Sequence, residues 1–163
     1  MTATDFPALI TLLTEGGVEF IVIGGVAATI HGSAHITVDL DLLYRRSPDN
    51  IERLATALAP IRPYLRGAPE GLPFHFDTAT IHRGLNFTLQ TTLGALDLLG
   101  EVAGAGTYDK VLPEAETALL AGRPFHCVSL RRLIAMKRAA GRPKDLNVIA
   151  ELEALLEEHE RDE

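Results

Sequence analysis

Apolar positions along the chain recur at two spacings, and each predicts elements. Over residues 4–15, Phe6, Leu9, Ile10 and Leu13 share one side of a 3.6-residue turn. Thr4 can cap this helix, Pro7 suits its first turn and Gly16-Gly17 ends it. "EFIVIG" is a short β-branched run and predicts a buried strand, followed by a small apolar segment, "GVAATIHG", that predicts a short, tightly packed helix. Ser47-Pro48 opens a helix with Ile51, Leu54, Ala55 and Leu58 at helical spacing, ended by Pro60 and Pro63. Residues 60–73, rich in Pro and Gly, predict a loop, and "TATIHRG" and "NFTLQTT" predict two strands about a turn at Gly84. Residues 107–121 predict a short helical segment and a strand, and "PFHCVS" predicts another strand. Ser129 caps a predicted helix over 130–140, Gly141 stops it, and Pro143 opens a last helix with Leu146, Ile149, Leu152 and Leu156 as its apolar stripe. "EEHERDE" predicts a frayed acidic tail, and Glu151, Glu153, Glu157 and Glu158 a solvated helix face.

Two strand candidates break the apolar pattern with acids. In "TVDLDLLY", alternation puts Val38, Leu40 and Leu42 on one face and Asp39 and Asp41 on the other. "ALDLLGEV" carries a single acid, Asp97. Burying a carboxylate in an apolar strand is costly unless something pairs with it, so these acids ask for a partner. Asp39 and Asp41 lie roughly 6.5–7 Å apart along the strand, close enough for their oxygens to converge on a divalent cation, which takes hard oxygen ligands. Asp97 on a neighbouring strand would complete a site for one or two Mg²⁺ ions, and two such ions about 3.5–4 Å apart suit phosphoryl or nucleotidyl transfer. Gly24-Gly25, between a strand and a helix, allows close backbone approach to a phosphate.

Composition narrows the classes. A 163-residue chain predicts one compact α+β (mixed α/β) domain over 1–163, its core at about 18–128 and a C-terminal helical segment at 129–163, built on a small mixed sheet flanked by helices. No internal repeat, linker or low-complexity block interrupts it. The net charge of −7 and pI of about 5.3 argue against a generic basic nucleic-acid coat, and the lack of Trp against a stacking platform. Arg131, Arg132, Lys137, Arg138, Arg142 and Lys144 are nevertheless concentrated in one stretch, a focus of charge that suits a triphosphate or a strand backbone. Cys127 is the lone cysteine, so no intramolecular disulfide forms, and its apolar surroundings predict a buried thiol. The apolar run Phe20–Ile30 spans about half a membrane thickness, and no basic-then-apolar leader opens the chain, so a soluble, cytoplasmic protein is expected. His31 predicts a structural hydrogen bond near the glycines, while His75, His82, His126 and His159 show no ligand spacing.

"IGGVAATIHGSAHITVDLDLL" resembles the signature of the nucleotidyltransferase superfamily with the DNA polymerase β-like fold. That signature has a Gly-Gly or Gly-Ser pair after an apolar strand and then Asp-x-Asp among apolar residues; here Val26 through Val38 intervene, the long end of the usual spacing. The C-terminal "LRRLIAMKRAAGRPKDLNVIAELEAL" is similar to the L-I-x-x-K…R-x-K-D-L segment of AbiEii-like toxins and their small relatives, so the resemblance covers most of residues 18–156. It implies that Gly24 and Gly25 contact a triphosphate, that Asp39 and Asp41 are ligands of Mg²⁺ or Mn²⁺, and that Asp97 is the third carboxylate, as ligand or general base. On the C-terminal pattern, Lys137 would meet phosphate, Arg142 and Lys144 would add positive charge, and Asp145 would hold the basic group in place. Thr37 falls on the Thr of a G-x-x-R-x-T-x-D pattern, and the Arg of that pattern is His35 here, a candidate donor to phosphate that is neutral much of the time near pH 7.

The implied activity is Mg²⁺-dependent transfer of a nucleoside monophosphate from an NTP to an acceptor. The acceptor would be tRNA, a partner protein or a small molecule such as an aminoglycoside, the toxin–antitoxin resemblance favouring the first two. A cognate toxin or antitoxin, or self-association, would supply the acceptor surface. The alternative from another class is a non-catalytic protein that keeps the fold for binding or antitoxin-like interaction; a metal-dependent nuclease is the third.

Overall fold

The structure is a computed structural model and describes residues 3–162; the outermost positions of the expected 1–163 unit, Met1, Thr2 and Glu163, lie outside the described residues. The elements run α1 (Phe6–Glu15), β1 (Phe20–Ile23), α2 (Gly24–Ile30), β2 (Asp39–Tyr44), α3 (Pro48–Leu58), β3 (Tyr64–Leu65), α4 (Thr78–Arg83), β4 (Phe87–Thr91), β5 (Gly94–Leu99), α5 (Tyr108–Val111), β6 (Ala115–Leu120), β7 (Arg123–Val128), α6 (Leu130–Ala140) and α7 (Pro143–Arg161). The strands form a seven-stranded mixed sheet in the order β3-β4-β5-β2-β1-β7-β6. β1 and β2 pair antiparallel, whereas β2–β5 and β1–β7 are parallel. This is the mixed α+β architecture, with flanking helices, that the pattern predicts.

The strands at the centre are buried because both faces are covered. Every residue of β1 is buried, and Leu40, Leu42, Leu43 and Tyr44 of β2 are fully enclosed. Leu9, Ile10 and Leu13 of α1 and Ile51, Leu54 and Leu58 of α3 belong to the same core as Leu133, Ile134 and Met136 of α6. Local chemistry sets the ends of the helices. The Ser47 hydroxyl accepts from the Asn50 N–H (3.4 Å) ahead of α3, and the Ser129 hydroxyl accepts from the Arg132 N–H (3.2 Å) ahead of α6. Gly141 closes α6 in the left-handed region at φ 63°. As predicted, His31 serves structurally, its Nε2 lying 2.7 Å from the Val128 carbonyl, and Cys127 is buried.

Several local expectations are corrected. "TATIHRG" is not a strand but helix α4: the Asp77 carboxylate accepts from the Thr80 N–H (2.9 Å), and Arg46 donates to the Ile81 and His82 carbonyls near its end. Asp5, not Thr4, caps α1, its carboxylate accepting from the Ala8 N–H; the Thr4 hydroxyl donates instead to the Val38 carbonyl. Val38 precedes β2 and is 67% exposed, so the buried face of that strand begins at Leu40. The loop over 60–73 contains the short edge strand β3. Leu146 is 66% exposed, and Leu152 is the fully buried residue of the α7 stripe. The acidic tail is helical through Arg161.

Candidate active site

Parallel pairing of β2 and β5 sets Asp41 opposite Asp97, and alternation keeps Asp39 on the same side two residues away. One carboxylate oxygen from each of Asp39, Asp41 and Asp97 lies within 4.8 Å of the others, a juxtaposition that can hold a metal ion. All three are partly buried. Asp41 Oδ1 is buried with no hydrogen-bond partner among the described residues. Burial, then the adjacent Asp97 and Asp39 carboxylates, push the Asp41 pKa up to about 7, against the pull of Lys137. A buried, unpartnered carboxylate oxygen that shares its space with two more carboxylates is a donor set short of a cation, and hard oxygen donors match Mg²⁺ or Mn²⁺. The site therefore fits the divalent metal on its chemistry.

The glycine pair is explained by the same cluster. Gly24 opens α2 with φ 68°, and a Cβ there would come within 2.8 Å of Asp41 Cγ; one on Gly25 would meet Thr37 Cβ at the same distance. Asp41 and Thr37 themselves thus make the close approach to this backbone. Thr37 also donates from its hydroxyl to the Asp39 carbonyl (3.2 Å), tying the entry of β2 to the helix start.

Two cavities of about 360 Å³ each open on the acids, and they differ in character. One is bordered by Gly25, Thr37, His35, all three aspartates, Lys137, Arg142, Lys144 and Asp145. The other shares Asp41, Asp97, Lys137 and Arg142 but continues into Ile23, Leu99, Val102, Ala103, Leu133, Met136 and Ala140. One chamber is polar and lined by charges of both signs, the other largely apolar, and the acids lie where they meet. A hydroxyl entering from one chamber and a phosphate held in the other would face each other across Asp41 and Asp97.

The six-residue focus of positive charge is divided in space. Lys137, Arg142 and Lys144 border the polar chamber. Arg131, Arg132 and Arg138 pair instead with Glu160, Glu114 and Glu153, away from the acids. Lys137 and Arg142 meet at Asp145, whose oxygens lie 3.7 Å from Lys137 Nζ and 2.9 Å from Arg142 Nε. Burial pushes the Asp145 pKa up, but the Arg142 hydrogen bond and the charges of Arg142 and Lys137 outweigh it and hold it below the ordinary carboxylate range. Asp145 thus stays ionised and fixes two cations at the cleft.

His35 faces a protein carboxylate: its Nδ1 lies 3.0 Å from Glu151 Oε1. Glu151 also accepts from the Ser33 hydroxyl (2.5 Å) and the Ala34 N–H (3.0 Å), so it latches α7 to the loop before Thr37 and is no part of a solvated face. Those bonds hold its pKa low, the Ser33 hydrogen bond first.

Arg66, which no motif or periodicity in the sequence singles out, also reaches the acids. Its Nη2 donates to Asp97 Oδ1 at 2.7 Å, and its Nη1 lies 3.7 Å from Asp39 Oδ2. It lies in a stretch with no periodicity, and only the order of strands brings it near the acids.

No family model matches the chain, and no curated protein matches it. Solved structures do. The chain is similar to lincosamide antibiotic adenylyltransferase LnuA in its lincomycin-bound form, with TM-score 0.61 and 12% identity over 95% of this chain and 99% of that one. It is similar to ANT(2″)-Ia in complex with adenylyl-2″-tobramycin, with TM-score 0.54 and 16% identity over 91% and 93%. The Thermotoga maritima protein TM1012, assigned to the nucleotidyltransferases, matches with TM-score 0.52 and 12% identity over 96% and 97%. At these identities the likeness is one of fold. The chain has the nucleotidyltransferase fold.

Proposed function

We propose that the protein is a Mg²⁺- or Mn²⁺-dependent nucleotidyltransferase that moves a nucleoside monophosphate from an NTP to an acceptor. The observation that carries this reading is the convergence of Asp39, Asp41 and Asp97, with the orphaned Asp41 oxygen, where a polar chamber bearing Lys137, Arg142 and Lys144 meets an apolar one. Asp39, Asp41 and Asp97 would hold the metal, which would supply positive charge to the α-phosphate and the leaving pyrophosphate. Asp97, on the side shared with the apolar chamber, orients the acceptor hydroxyl and takes its proton. Lys137, Arg142 and Lys144 bind the polyphosphate, Lys137 and Arg142 being fixed by Asp145. Gly24, Gly25 and Thr37 shape the wall against which the phosphates lie. His35 adds a phosphate donor only by leaving Glu151.

The toxin–antitoxin resemblance favours a tRNA or partner-protein acceptor, delivered by a cognate partner or a second copy. A second reading of the acceptor, a small molecule with an apolar body and a hydroxyl, is favoured by the Leu99, Val102, Leu133 and Met136 lining of the second chamber. The LnuA and ANT(2″)-Ia complexes, with lincomycin and adenylylated tobramycin, support it by analogy. The alternative in which the fold binds without catalysis predicts no label transfer.

A transfer assay tests the reading: labelled NTPs and Mg²⁺ with tRNA, cell extract and a panel of hydroxylated small molecules. The expected result is label on one acceptor class, lost in the Asp39→Ala, Asp41→Ala double variant. Label transfer that survives the double substitution overturns the site. A thermal midpoint unmoved by Mg²⁺ with every NTP overturns the enzyme reading.

A further inference from the structure

We propose that Arg66 is the resident counter-cation of the acidic triad, and that a divalent ion loads the site by displacing it. The inference rests on the metal-dependent reading above and concerns how that metal is admitted. Arg66 follows the edge strand β3, its N–H donating to the Thr88 carbonyl (3.0 Å), and its side chain crosses β4 to reach β5. Thr88, directly opposite Asp97 in the pairing of β4 and β5, is a small, exposed residue on that path. The guanidinium is held at a fixed point, with Nη2 donating at 2.7 Å both to the Leu89 carbonyl and to Asp97 Oδ1. Its Nη1 lies 3.7 Å from Asp39 Oδ2, and its Nε is buried without a partner among the described residues.

One guanidinium therefore bridges two of the three carboxylates whose oxygens converge on the metal position. A divalent ion needs those oxygens at roughly 2.0–2.6 Å, and while Nη2 holds Asp97 Oδ1 the electron density of that oxygen is shared between two competing cations. The two cations also repel across a partly buried gap where screening is weak. The unsatisfied Nε shows the guanidinium fork incompletely paired, so the arrangement can be exchanged for a better-coordinated ion. Arg66 thereby keeps Asp39 and Asp97 neutralised in the unloaded protein and sets the metal concentration at which the site fills.

The test is Mn²⁺ binding by calorimetry to the full chain and to Arg66→Ala and Arg66→Lys, with no nucleotide. A unit charge a few Å from a carboxylate alters its affinity for a cation by one to three decades, so about tenfold tighter binding is expected for the alanine variant. The lysine variant, which keeps charge but cannot bond Leu89 and Asp97 together, falls between. In parallel, the guanidinium NH signals of Arg66 are followed by NMR as Mg²⁺ is added. They are expected to change from restricted to free rotation on loading, which a long-range field effect would not produce. Equal or weaker Mn²⁺ affinity in Arg66→Ala, or Arg66 signals unmoved at saturating Mg²⁺, overturns displacement while leaving the transfer reading intact. If neither the natural chain nor the variants bind Mn²⁺, both fall.

Discussion

Replacing Asp41 by Asn should make the metal-free protein more stable, and only above the pH at which Asp41 ionises in the unfolded chain. In the folded chain Asp41 titrates at about 7 against an ordinary value of 3.8. Between these values the unfolded chain releases a proton that the folded chain retains, so stability falls as pH rises through this window, and the whole cost is present above about pH 7. A gap of about three pH units at about 1.36 kcal/mol each sets a ceiling of about 4 kcal/mol. Movement of Asp97 and water at the partly exposed triad reduce it, and about 2 kcal/mol is expected. Asn is close to isosteric, carries no charge and can donate its amide to Asp97, so Asp41→Asn removes the cost without leaving a cavity.

The assay is thermal unfolding in EDTA from pH 3 to 8.5. The variant and the natural chain should melt together at the acid end. The variant should pull ahead through pH 7 and level off about 4–8 °C higher, the shift that about 2 kcal/mol gives in a domain of this size. Saturating Mn²⁺ should raise the natural chain and leave Asp41→Asn where it was. A pH-independent difference, or a variant less stable at pH 8, would refute the claim that the triad is a store of unfavourable charge awaiting a cation.

Other expectations concern the supports of the site. Gly24→Ala meets both a left-handed backbone and the Asp41 carboxylate, and should cost about 2–3 kcal/mol in urea unfolding while weakening Mn²⁺ binding at least tenfold. Glu151→Ala releases the Ser33, Ala34 and His35 contacts, so amide exchange over 33–38 should quicken while β1 and β2 keep their protection; unchanged exchange there would show that the latch holds nothing. Asn50 is fully buried, accepting from the Glu19 N–H (2.7 Å) and donating to the Glu19 and Arg45 carbonyls (3.0 and 2.8 Å). Asn50→Ala should cost about 3 kcal/mol, seen as a lower urea midpoint at unchanged slope, because the Glu19 N–H and the Arg45 carbonyl lose this partner and the Glu19 carbonyl keeps only the Arg45 N–H.

What the chain's pattern discloses about this cleft follows from how far apart the interacting residues lie. The acids could be read because each depends on local alternation: Asp39 and Asp41 share a face within one strand, and Asp97 breaks a short apolar run that has to pair nearby. Helix ends were legible for the same reason, since Ser47, Ser129 and Gly141 act within three residues of themselves. α4 was misread because Thr and Ile favour a strand locally, while a side chain 35 residues away, Arg46, bonds the Ile81 carbonyl of that helix. The cations fared worst. A run of basic residues on a helix points in all directions, so α6 and α7 send some toward the acids and others to glutamates elsewhere. Arg66 reaches Asp97 across 31 positions, and Glu151 reaches His35 across 116. Carboxylates that repel one another need a strand to force them together, and a strand leaves a period in the sequence. The cations that answer them are drawn in by attraction from whatever element passes close, and attraction requires no period. Acidic centres of this kind are therefore visible in a single sequence well before their counter-charges are, and residues such as Arg66 are found only once the strand order is known.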